Sequence, residues 1–271
     1  MERLPDFANP PVVEVAVAVG FQPLAGLRVV DLGGLWERYQ ADFPNVVEQP
    51  PIEMATERFD GLGAPPSMSF ALMAAPPIPR LWFLNGDESQ LIQVQNNWFA
   101  RNWRKMPTGG DYPRYPTIRD RFRDDLSTFL DYIRAGKLGE FKPTQCEITF
   151  INHIADYGGQ RQELSEILNL LKPLDVSGFL PSPESVGLNA QFLIAGDGVP
   201  AGRLHLRAEP AVRRSDGSPI TVLTITARGV PIGEGVEGVM GFLELGHTWV
   251  VRGFECITTD RMHKLWGKTN D

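Results

Sequence analysis

Amide and cationic side chains concentrate in one stretch of the sequence, LIQVQNNWFARNWRK at residues 91 to 105. On a strand, Gln93 and Gln95 would share one face, where an amide can both donate and accept hydrogen bonds. The stretch then mixes cations with tryptophans, a composition typical of an interface anchor or of a stacking site. The candidate binding residues of this stretch are Gln93, Gln95, Arg101, Asn102, Trp103 and Arg104.

Two interpretations of this stretch stay open. In the first, the amides and cations face a groove used for binding, while Trp98 packs into the core. In the second, both tryptophans are core residues, and the cations are solvated or paired with acids such as Asp125. An exposed aromatic patch at Trp98 and Trp103 would indicate a partner surface, whereas a deep pocket lined by the amides and His153 would indicate a small ligand or an enzyme.

A histidine and a carboxylate form a second candidate site in INHIADYGGQR. His153 and Asp156 lie where a predicted strand ends, and an imidazole with a carboxylate partner could act as a general base. No nucleophile accompanies them, and a histidine that only hydrogen-bonds at a strand end is the commoner arrangement. We therefore predict no catalytic residue, and we keep His153 and Asp156 as binding candidates.

Two other groups of basic side chains have structural explanations that we favour. His247 falls on the apolar stripe of a predicted helix, which is typical of a core histidine. Arg203, His205 and Arg207 alternate along one face of a predicted strand, as the side chains of a solvated face do. The same three side chains could follow a phosphate backbone, so an anion-binding stripe is the alternative.

Signatures of common enzyme and metal chemistry are missing from the sequence. It contains no G-x-x-x-x-G-K-[ST] phosphate loop, no G-x-G-x-x-G after a predicted strand, no H-E-x-x-H and no G-x-S-x-G. Its two cysteines, Cys146 and Cys256, lack the spacing of metal ligands, and we interpret both as core residues. We predict no cofactor and no metal, and these absences favour a binding protein over an enzyme.

The overall charge limits the partners. The chain of 271 residues carries 33 acidic and 26 basic residues, a formal net charge of -7. That balance argues against a dominant affinity for nucleic acid or an anionic membrane, although a local basic patch stays open. No apolar run approaches the roughly 18 residues of a membrane span, and the first residues do not resemble a secretory signal, so we expect a cytoplasmic protein. Its expected partner is another protein, and a homo-oligomer is compatible with the sequence.

Hydrophobic periodicity predicts a ferredoxin-like βαββαβ order for residues 1–155. One helix is expected to follow Asp31 as its cap, and the proline-rich residues 44–79 are expected to form a surface insertion. A second, clearer helix has Thr117 as its expected cap and Gly136 as its end. The predicted strands are 11–21, 80–85, 89–99 and 144–154, and the predicted helices are 32–43 and 117–136.

Residues 156–271 are expected to form an α-βββ-α unit that packs against the first half, so that the fold class is α+β. The sequence RRSDGS predicts a hairpin turn between the last two strands, because Asp-Gly tolerates positive φ. The three strands would then form an antiparallel meander covered by the last helix. The predicted elements are a helix at 159–174, strands at 185–195, 201–212 and 218–228, and a helix at 234–257.

Three segments together resemble a sporadically distributed family of bacterial proteins whose function is unassigned. They are NPPVVEVAVAVGF, LIQVQNNWFARNWRK and FLELGHTWVVRGFECITTDRMHKLWGK. The pattern Q-x-Q-x-x-x-F-x-x-N-W-R in the second segment is the most specific part of the resemblance, which spans nearly the whole chain. The resemblance implies no reaction, cofactor or catalytic residue. Its patchy distribution is similar to that of horizontally exchanged defence or toxin–antitoxin genes, and it implies such a setting as an expectation.

The sequence therefore predicts a non-catalytic binding or regulatory protein of bacteria that interacts with another protein. The alternative is a small-molecule or nucleotide-sensing module, or an unfamiliar enzyme, that uses His153, Asp156 and the region around Arg101.

Overall fold

An antiparallel sheet of nine strands organises the fold. The computed structural model describes residues 3–53, 55–59, 78–155, 163–172, 179, 181 and 183–269. The strands within these ranges are β1 (Asp6–Phe7), β2 (Val12–Phe21), β3 (Asn45–Gln49), β4 (Arg80–Leu84), β5 (Gln90–Gln95), β6 (Trp98–Arg104), β7 (Pro143–Ala155), β8 (Leu188–Ile194), β9 (Gly202–Val212), β10 (Pro219–Gly229) and β11 (Lys268–Thr269). The order in the sheet is β3-β4-β5-β6-β2-β7-β10-β9-β8, and β1 pairs separately with β11.

The two long helices lie against one face of this sheet. The helices of the described residues are α1 (Val29–Trp36), α2 (Arg114–Ala135), α3 (Leu164–Ile167), α4 (Gly235–Ile257) and α5 (Asp260–Leu265). α2 packs on β6 and β2, and α4 packs on β7, β10 and β9. We call the side of the sheet under these helices the covered face, and the opposite side the open face.

Alternation along the strands produces the covered face. In β2, Val15, Val17 and Val19 point towards the helices and are fully buried, as the two-residue period of a strand requires. Ile148 and Arg101 stand opposite Val17 on the two neighbouring strands and therefore share that face. The core thus runs unbroken beneath both long helices.

Both long helices predicted from periodicity are confirmed. α4 begins at Gly235 and ends at Ile257, and α2 ends directly before Gly136. α2 begins at Arg114, so Thr117 lies inside its first turns and is not its cap, which corrects the prediction. Pro116 permits the earlier start, because a proline in the first turn of a helix removes no helical hydrogen bond.

The predicted single strand at 89–99 is wrong, and the error changes the topology. A turn at Asn96 and Asn97 divides it into β5 and β6, which pair with each other. Asparagine favours such turns because its side chain hydrogen-bonds locally and tolerates positive φ. It is β6 that pairs with β2, so the residues after Phe99 belong to a strand inside the sheet. The fold is mixed α+β with a large antiparallel sheet, and the ferredoxin-like order is not confirmed.

Two predicted helices differ from their patterns. The helix predicted at 32–43 ends at Trp36, and Asp31 is its third residue, where the carboxylate accepts the backbone N–H of Arg28 at 2.8 Å. Of the helix predicted at 159–174, the described residues form only α3, after which Leu168 makes an isolated bridge with Thr258. Residues 168–172 are not helical, which corrects that part of the prediction, and residues 159–162, 173 and 174 lie outside the described residues.

The sheet is continuous across the boundary predicted between residues 155 and 156. β7 pairs with β10 from Cys146 to Ala155, and β8, β9 and β10 form the predicted meander. The RRSDGS turn carries Gly217 at a φ of 70°, positive as predicted. The division into two subdomains stays a prediction. In the part of the chain that the structure describes, no helix is long and apolar enough to cross a membrane.

Candidate functional site

The candidate residues of the opening stretch are split between the two faces of the sheet. Because directly paired residues on neighbouring strands share a face, the register of β5, β6 and β2 assigns each side chain. The open face carries Gln93, Gln95, Asn102 and Arg104, and the covered face carries Arg101 and Trp103. The prediction that Arg101 faces the same groove as the amides is therefore wrong, and the cause is the turn at residues 96–97.

Arg101 is a structural cation beneath α2. Its guanidinium forms an ion pair with Asp125, and its Nη2 donates to Gln90 Oε1 at 2.5 Å. Burial lowers the pKa of Arg101 and raises the pKa of Asp125, because each charge has lost most of its water. The pair joins β6 to α2, so the guanidinium is used within the fold. Pairing with Asp125 was the structural alternative in the sequence analysis, and it is confirmed.

Neither tryptophan forms an exposed aromatic patch. Trp103 is 4% exposed and contacts Tyr112, with ring centroids 5.1 Å apart. Trp98 is 9% exposed and lies on the open face, where it packs with Ala18, Ala100 and Ile52 in a small second core. The surface that would have indicated a protein partner in this stretch is therefore not present.

Amide side chains on the open face form a connected hydrogen-bond network. Gln93 Oε1 accepts from Arg80 Nη1 at 2.8 Å and from Trp82 Nε1 at 3.0 Å. Gln93 Nε2 donates to Asn102 Oδ1 at 2.7 Å, and Asn102 Nδ2 donates to Glu14 Oε1 at 2.6 Å. Burial raises the pKa of Glu14, and the bond from Asn102 offsets this only in part. The amides thus use their hydrogen-bonding capacity on each other, as buried polar groups must.

Two guanidinium groups flank the indole ring of Trp82. Arg80 lies 5.5 Å and Arg104 lies 5.6 Å from the ring centroid, and Arg104 Nη2 donates to the Glu88 carbonyl at 3.2 Å. The Nε atoms of both arginines are buried without a hydrogen-bond partner among the described residues. Burial also lowers the pKa of Arg80. This corner of the open face therefore keeps two donors that the rest of the network does not satisfy.

Part of the proline-rich insertion crosses the open face. We call residues 50–53 and 55–59 the strap. Gln95 holds its first part, since Gln95 Oε1 accepts the Ile52 N–H at 2.9 Å and Gln95 Nε2 donates to the Ile52 carbonyl at 3.1 Å. Farther along, the backbone N–H of Glu57 donates to Gln145 Oε1 at 3.1 Å. The amide face that the sequence analysis assigned to a ligand is therefore partly occupied by the chain itself.

Glu57 of the strap gathers the basic side chains of β9 and β10. Its carboxylate lies 2.5 Å from Arg203 Nη1, 2.6 Å from His205 Nε2 and 3.5 Å from Arg228 Nη1. Burial alone would raise the pKa of Glu57, but hydrogen bonds from His205 and Arg203 and the charge of Arg228 bring that pKa below its ordinary value. Arg228 Nε also contacts Glu147 Oε2 at 2.6 Å.

The basic side chains of the possible anion-binding stripe already contact acidic side chains of the same chain. Arg203 and His205 share one carboxylate that is only 6% exposed, and Arg207 lies 2.8 Å from Glu209. Each of the three predicted basic side chains therefore has an acidic neighbour within the chain. Sequence reasoning missed Glu57 because it lies in a proline-rich segment far from β9, and only the tertiary fold brings the two together.

Only one of the two residues of the second candidate site, His153, lies among the described residues. His153 is half-buried on the open face, and its pKa is lowered by burial and by the charge of Arg213. Its backbone N–H donates to the Pro11 carbonyl at 3.0 Å. Asp156, its predicted carboxylate partner, lies outside the described residues, so the pair remains a prediction.

Exposed apolar side chains lie on both edge strands of the sheet, Val46 and Val47 on β3 and Phe192 and Leu193 on β8. Phe192 is 39% exposed and points to the covered face, whereas Leu193 is 57% exposed and points to the open face. No strand of the described residues pairs with the outer side of β8. The edge thus offers free backbone hydrogen-bonding groups between two apolar surfaces.

A groove beside this edge continues the apolar surface. α4 covers β7, β10 and β9 but does not extend over β8, which leaves a space of about 400 Å³ between α4 and the strands. Phe192, Leu204 and Trp249 line it, together with Cys256. Cys256 is exposed, so its assignment to the core is wrong, whereas that of Cys146 is confirmed. The reason is that the last turn of α4 packs on the core through Phe254 and Ile257, which leaves Cys256 on the outward side of that turn.

Comparison with known proteins adds no identification. No protein-family model matches the chain, and no curated protein and no solved structure matches it significantly. Within the described ranges, no group of three or more His, Cys, Asp or Glu side chains is placed to hold a metal ion. The geometry of the candidate site is therefore the evidence for its function.

Proposed function

We propose that the protein is a non-catalytic binding protein whose partner is another protein, and that an extended segment of this partner pairs with the outer side of β8. The observation that carries the proposal is the β8 edge together with the apolar groove beside it. β8 ends the nine-stranded sheet, and no strand of the described residues covers it. An unpaired strand edge is a template for a further strand, because its N–H and C=O groups still require partners.

The side chains of β8 indicate the chemistry of that partner. In strand addition, main-chain hydrogen bonds supply affinity, and alternate side chains of the added strand supply specificity. Phe192 exposes apolar area on the covered face and Leu193 does so on the open face. An added strand with apolar residues on both faces would bury both. We therefore infer an extended, mostly uncharged partner segment.

The groove between α4 and β8 supplies the position for an anchoring side chain. Its walls are mainly apolar, since Phe192, Leu204 and Leu206 face Trp249 and Ile257 across it. An apolar side chain from the added strand would enter the groove from the edge and displace water. Interfaces obtain most of their binding free energy from a few such desolvated anchors.

The proposal also includes the biological setting, the ferredoxin-like unit and the open-face binding residues that the sequence predicts. The family resemblance supports a defence or toxin–antitoxin setting, in which the partner would be encoded beside this protein. A cytoplasmic location, expected from the sequence alone, is also part of the proposal. The ferredoxin-like unit predicted for residues 1–155 also remains part of the proposal, and its support is that α2 connects β6 and β7, which both run antiparallel to β2 between them. A binding role for Gln93, Gln95 and the other open-face candidates stays a prediction, now limited to the corner around Arg104.

The test compares one change in the edge with a matched change elsewhere. Leu193→Lys places a charge on β8, and Val30→Lys places the same charge on α1, where the valine is even more exposed. We expect Leu193→Lys to abolish co-purification of the partner from the native host and Val30→Lys to retain it. Amide hydrogen exchange of the purified complex should show slowed exchange in residues 188–194.

Two results would overturn the proposal. One is a complex that survives Leu193→Lys with unchanged exchange in β8, because the partner would then bind elsewhere. The other is a β8-dependent association of the chain with itself, which light scattering would detect as a doubled mass that Leu193→Lys halves. In that case a second copy, and not a different protein, would occupy the edge.

A further inference from the structure

A cavity of about 300 Å³ lies on the covered face, at the opposite side of α4 from the β8 groove. Its walls come from the N-terminal residues 4–10, the first turn of α2, strands β7 and β10, and the middle of α4. The volume is at the lower end of the range of about 300–1,000 Å³ that is usual for ligand sites. Neither the candidate residues of the open face nor β8 contribute to it.

The walls of this cavity are rich in aromatic rings. Tyr115 and His247 stack in parallel, with centroids 3.7 Å apart and an interplanar angle of 7°, and Phe150 lies 6.2 Å from His247. Tyr112 and Phe254 complete the aromatic lining. Flat rings of this kind favour a flat apolar ligand, because stacked and edge-on ring contacts add to the free energy of area burial.

A few uncharged polar groups stand among these rings. The hydroxyl of Tyr115 is buried and has no hydrogen-bond partner among the described residues. His247 is neutral near pH 7, because burial and the charge of Arg119 lower its pKa to about 4. Asn152 donates from Nδ2 to the Leu223 carbonyl at 3.1 Å, which fixes its carboxamide at the wall. A hydrogen-bonding group on a ligand would therefore meet the neutral imidazole of His247 in the lining, and not a charge.

The charges of the lining cancel each other. Asp6 and Arg114 pair at 2.8 Å, and Arg114 also donates to the Phe7 carbonyl at 3.1 Å. A charged ligand would lose its water without gaining an uncompensated counter-charge, which is costly. Arg114 holds this pair from a backbone φ of 67°, in the left-handed region that side chains other than glycine rarely adopt. That strain is typical of a position maintained by its surroundings.

The N-terminal wall is fixed by the other end of the described chain. Asp6 pairs with Thr269 and Phe7 pairs with Lys268 in the two-stranded β1–β11 sheet, and Phe7 packs edge-on against Phe254 at 5.4 Å. This wall of the cavity is therefore held in place by tertiary contacts.

We propose that this cavity binds a small, uncharged, planar aromatic molecule that carries a hydrogen-bonding group. The site is separate from the β8 edge, so this inference stands or fails independently of the proposed protein partner. This protein could bind a small molecule in the cavity and a partner segment at the β8 edge at the same time. α4 contributes to the walls of both the cavity and the groove.

The experiment uses the full chain and four probes of similar size. The uncharged probes are p-cresol and indole, and the charged probes are benzoate and benzylammonium, with binding measured by calorimetry and by saturation-transfer NMR. We expect both uncharged probes to bind and both charged probes to bind at least tenfold more weakly. Failure of both uncharged probes to bind at millimolar concentration, or equal binding of all four, would overturn the proposal.

Two variants locate the binding. Val251→Phe fills the cavity from α4 and should weaken p-cresol at least tenfold, whereas Val30→Phe on α1 should leave its affinity unchanged. Unchanged p-cresol affinity in folded Val251→Phe would place binding elsewhere.

Discussion

The β5–β6 region and the β8 edge differ in which side chains they bury. The first buries polar side chains, and the second leaves apolar side chains exposed. The first contains amides, cations and tryptophans that the chain buries and pairs with one another, from Gln93 to Glu14 and from Arg101 to Asp125. The second contains an ordinary strand sequence, LNAQFLI, whose Phe192 and Leu193 remain exposed. Unusual composition therefore marks the interior of this protein, and the surface that we propose for a partner has a common strand composition.

The difference has a physical origin. A buried polar residue must find a partner, so evolution of an interior polar network requires particular side chains at particular positions. A strand edge binds through backbone groups that every residue provides, and its side chains need only be apolar and accessible. Residue types alone therefore reveal the network more readily than the edge.

The largest expected effect comes from breaking the buried ion pair in the first region. Arg101→Ala would leave Asp125 buried without its counter-charge, which costs about 3–5 kcal/mol of unfolding free energy. Arg134→Ala is the matched control, because Arg134 and its partner Asp131 are both more than 70% exposed. Urea unfolding should show a large loss for Arg101→Ala and less than about 1 kcal/mol for the control. Similar losses of unfolding free energy for the two variants would show that the Arg101–Asp125 pair does not stabilise the fold.

A substitution in the amide network of the open face should cause a smaller loss of unfolding free energy. Gln93→Ala removes the acceptor of Arg80 and Trp82 and the donor to Asn102, and we expect a loss of about 1–3 kcal/mol. Gln40→Ala, on the exposed turn after α1, should cost almost nothing. If Gln93→Ala keeps its stability but loses a bound partner, the network serves binding, and the contrast between the two regions fails.

The hairpin tip between β9 and β10 lies in the same half as the edge and tests backbone strain there. Gly217 has a φ of 70°, and a β-carbon added to it would have no atom within 4 Å from described residues beyond its chain neighbours, so packing against the rest of the fold plays no part. Gly217→Val should cost about 1–2 kcal/mol through the left-handed backbone alone. Arg214→Ala in the same turn should be neutral by thermal unfolding. Equal melting temperatures for both variants would contradict the assigned turn.

The smallest effect on stability is expected at the edge itself. Leu193→Lys changes an exposed side chain, and such changes usually remain within about 0.5 kcal/mol. Its melting curve should overlay that of the parent while partner binding is lost. A loss of several kcal/mol would show that Leu193 is structural, and the two regions would then differ less than their exposure suggests.

Local patterns predicted the fold most accurately where local forces decide it. The apolar stripes of α2 and α4 and the Asp-Gly turn at Gly217 depend on nearby residues, and each is confirmed. The strand at 89–99 failed because its alternation continues through Asn96 and Asn97 without a visible break. Once that turn is missed, Trp98 and Arg101 are assigned to the wrong face, since a shift of one position reverses the face.

The candidate site was less predictable because its partners are distant in sequence. Arg101 and Trp103 had the composition of an interface, and only the register of β6 against β2 shows that they face α2. Glu57 gave no signal in its proline-rich surroundings, yet it holds Arg203 and His205. The exposure of β8 follows from its place at the end of the sheet, and strand order is not encoded in the strand's own sequence.

The position of β2 at the centre of the sheet has a consequence for synthesis. Its two neighbours are β6 and β7, so Val15 meets Phe150 only after most of the first 155 residues exist. At about 5–20 residues per second, the ribosome leaves this valine-rich strand without β7 for on the order of ten seconds. Contacts so distant along the chain also slow folding, because a long loop must close before they form. A nascent chain of this protein would therefore depend on chaperones that shield an early apolar strand.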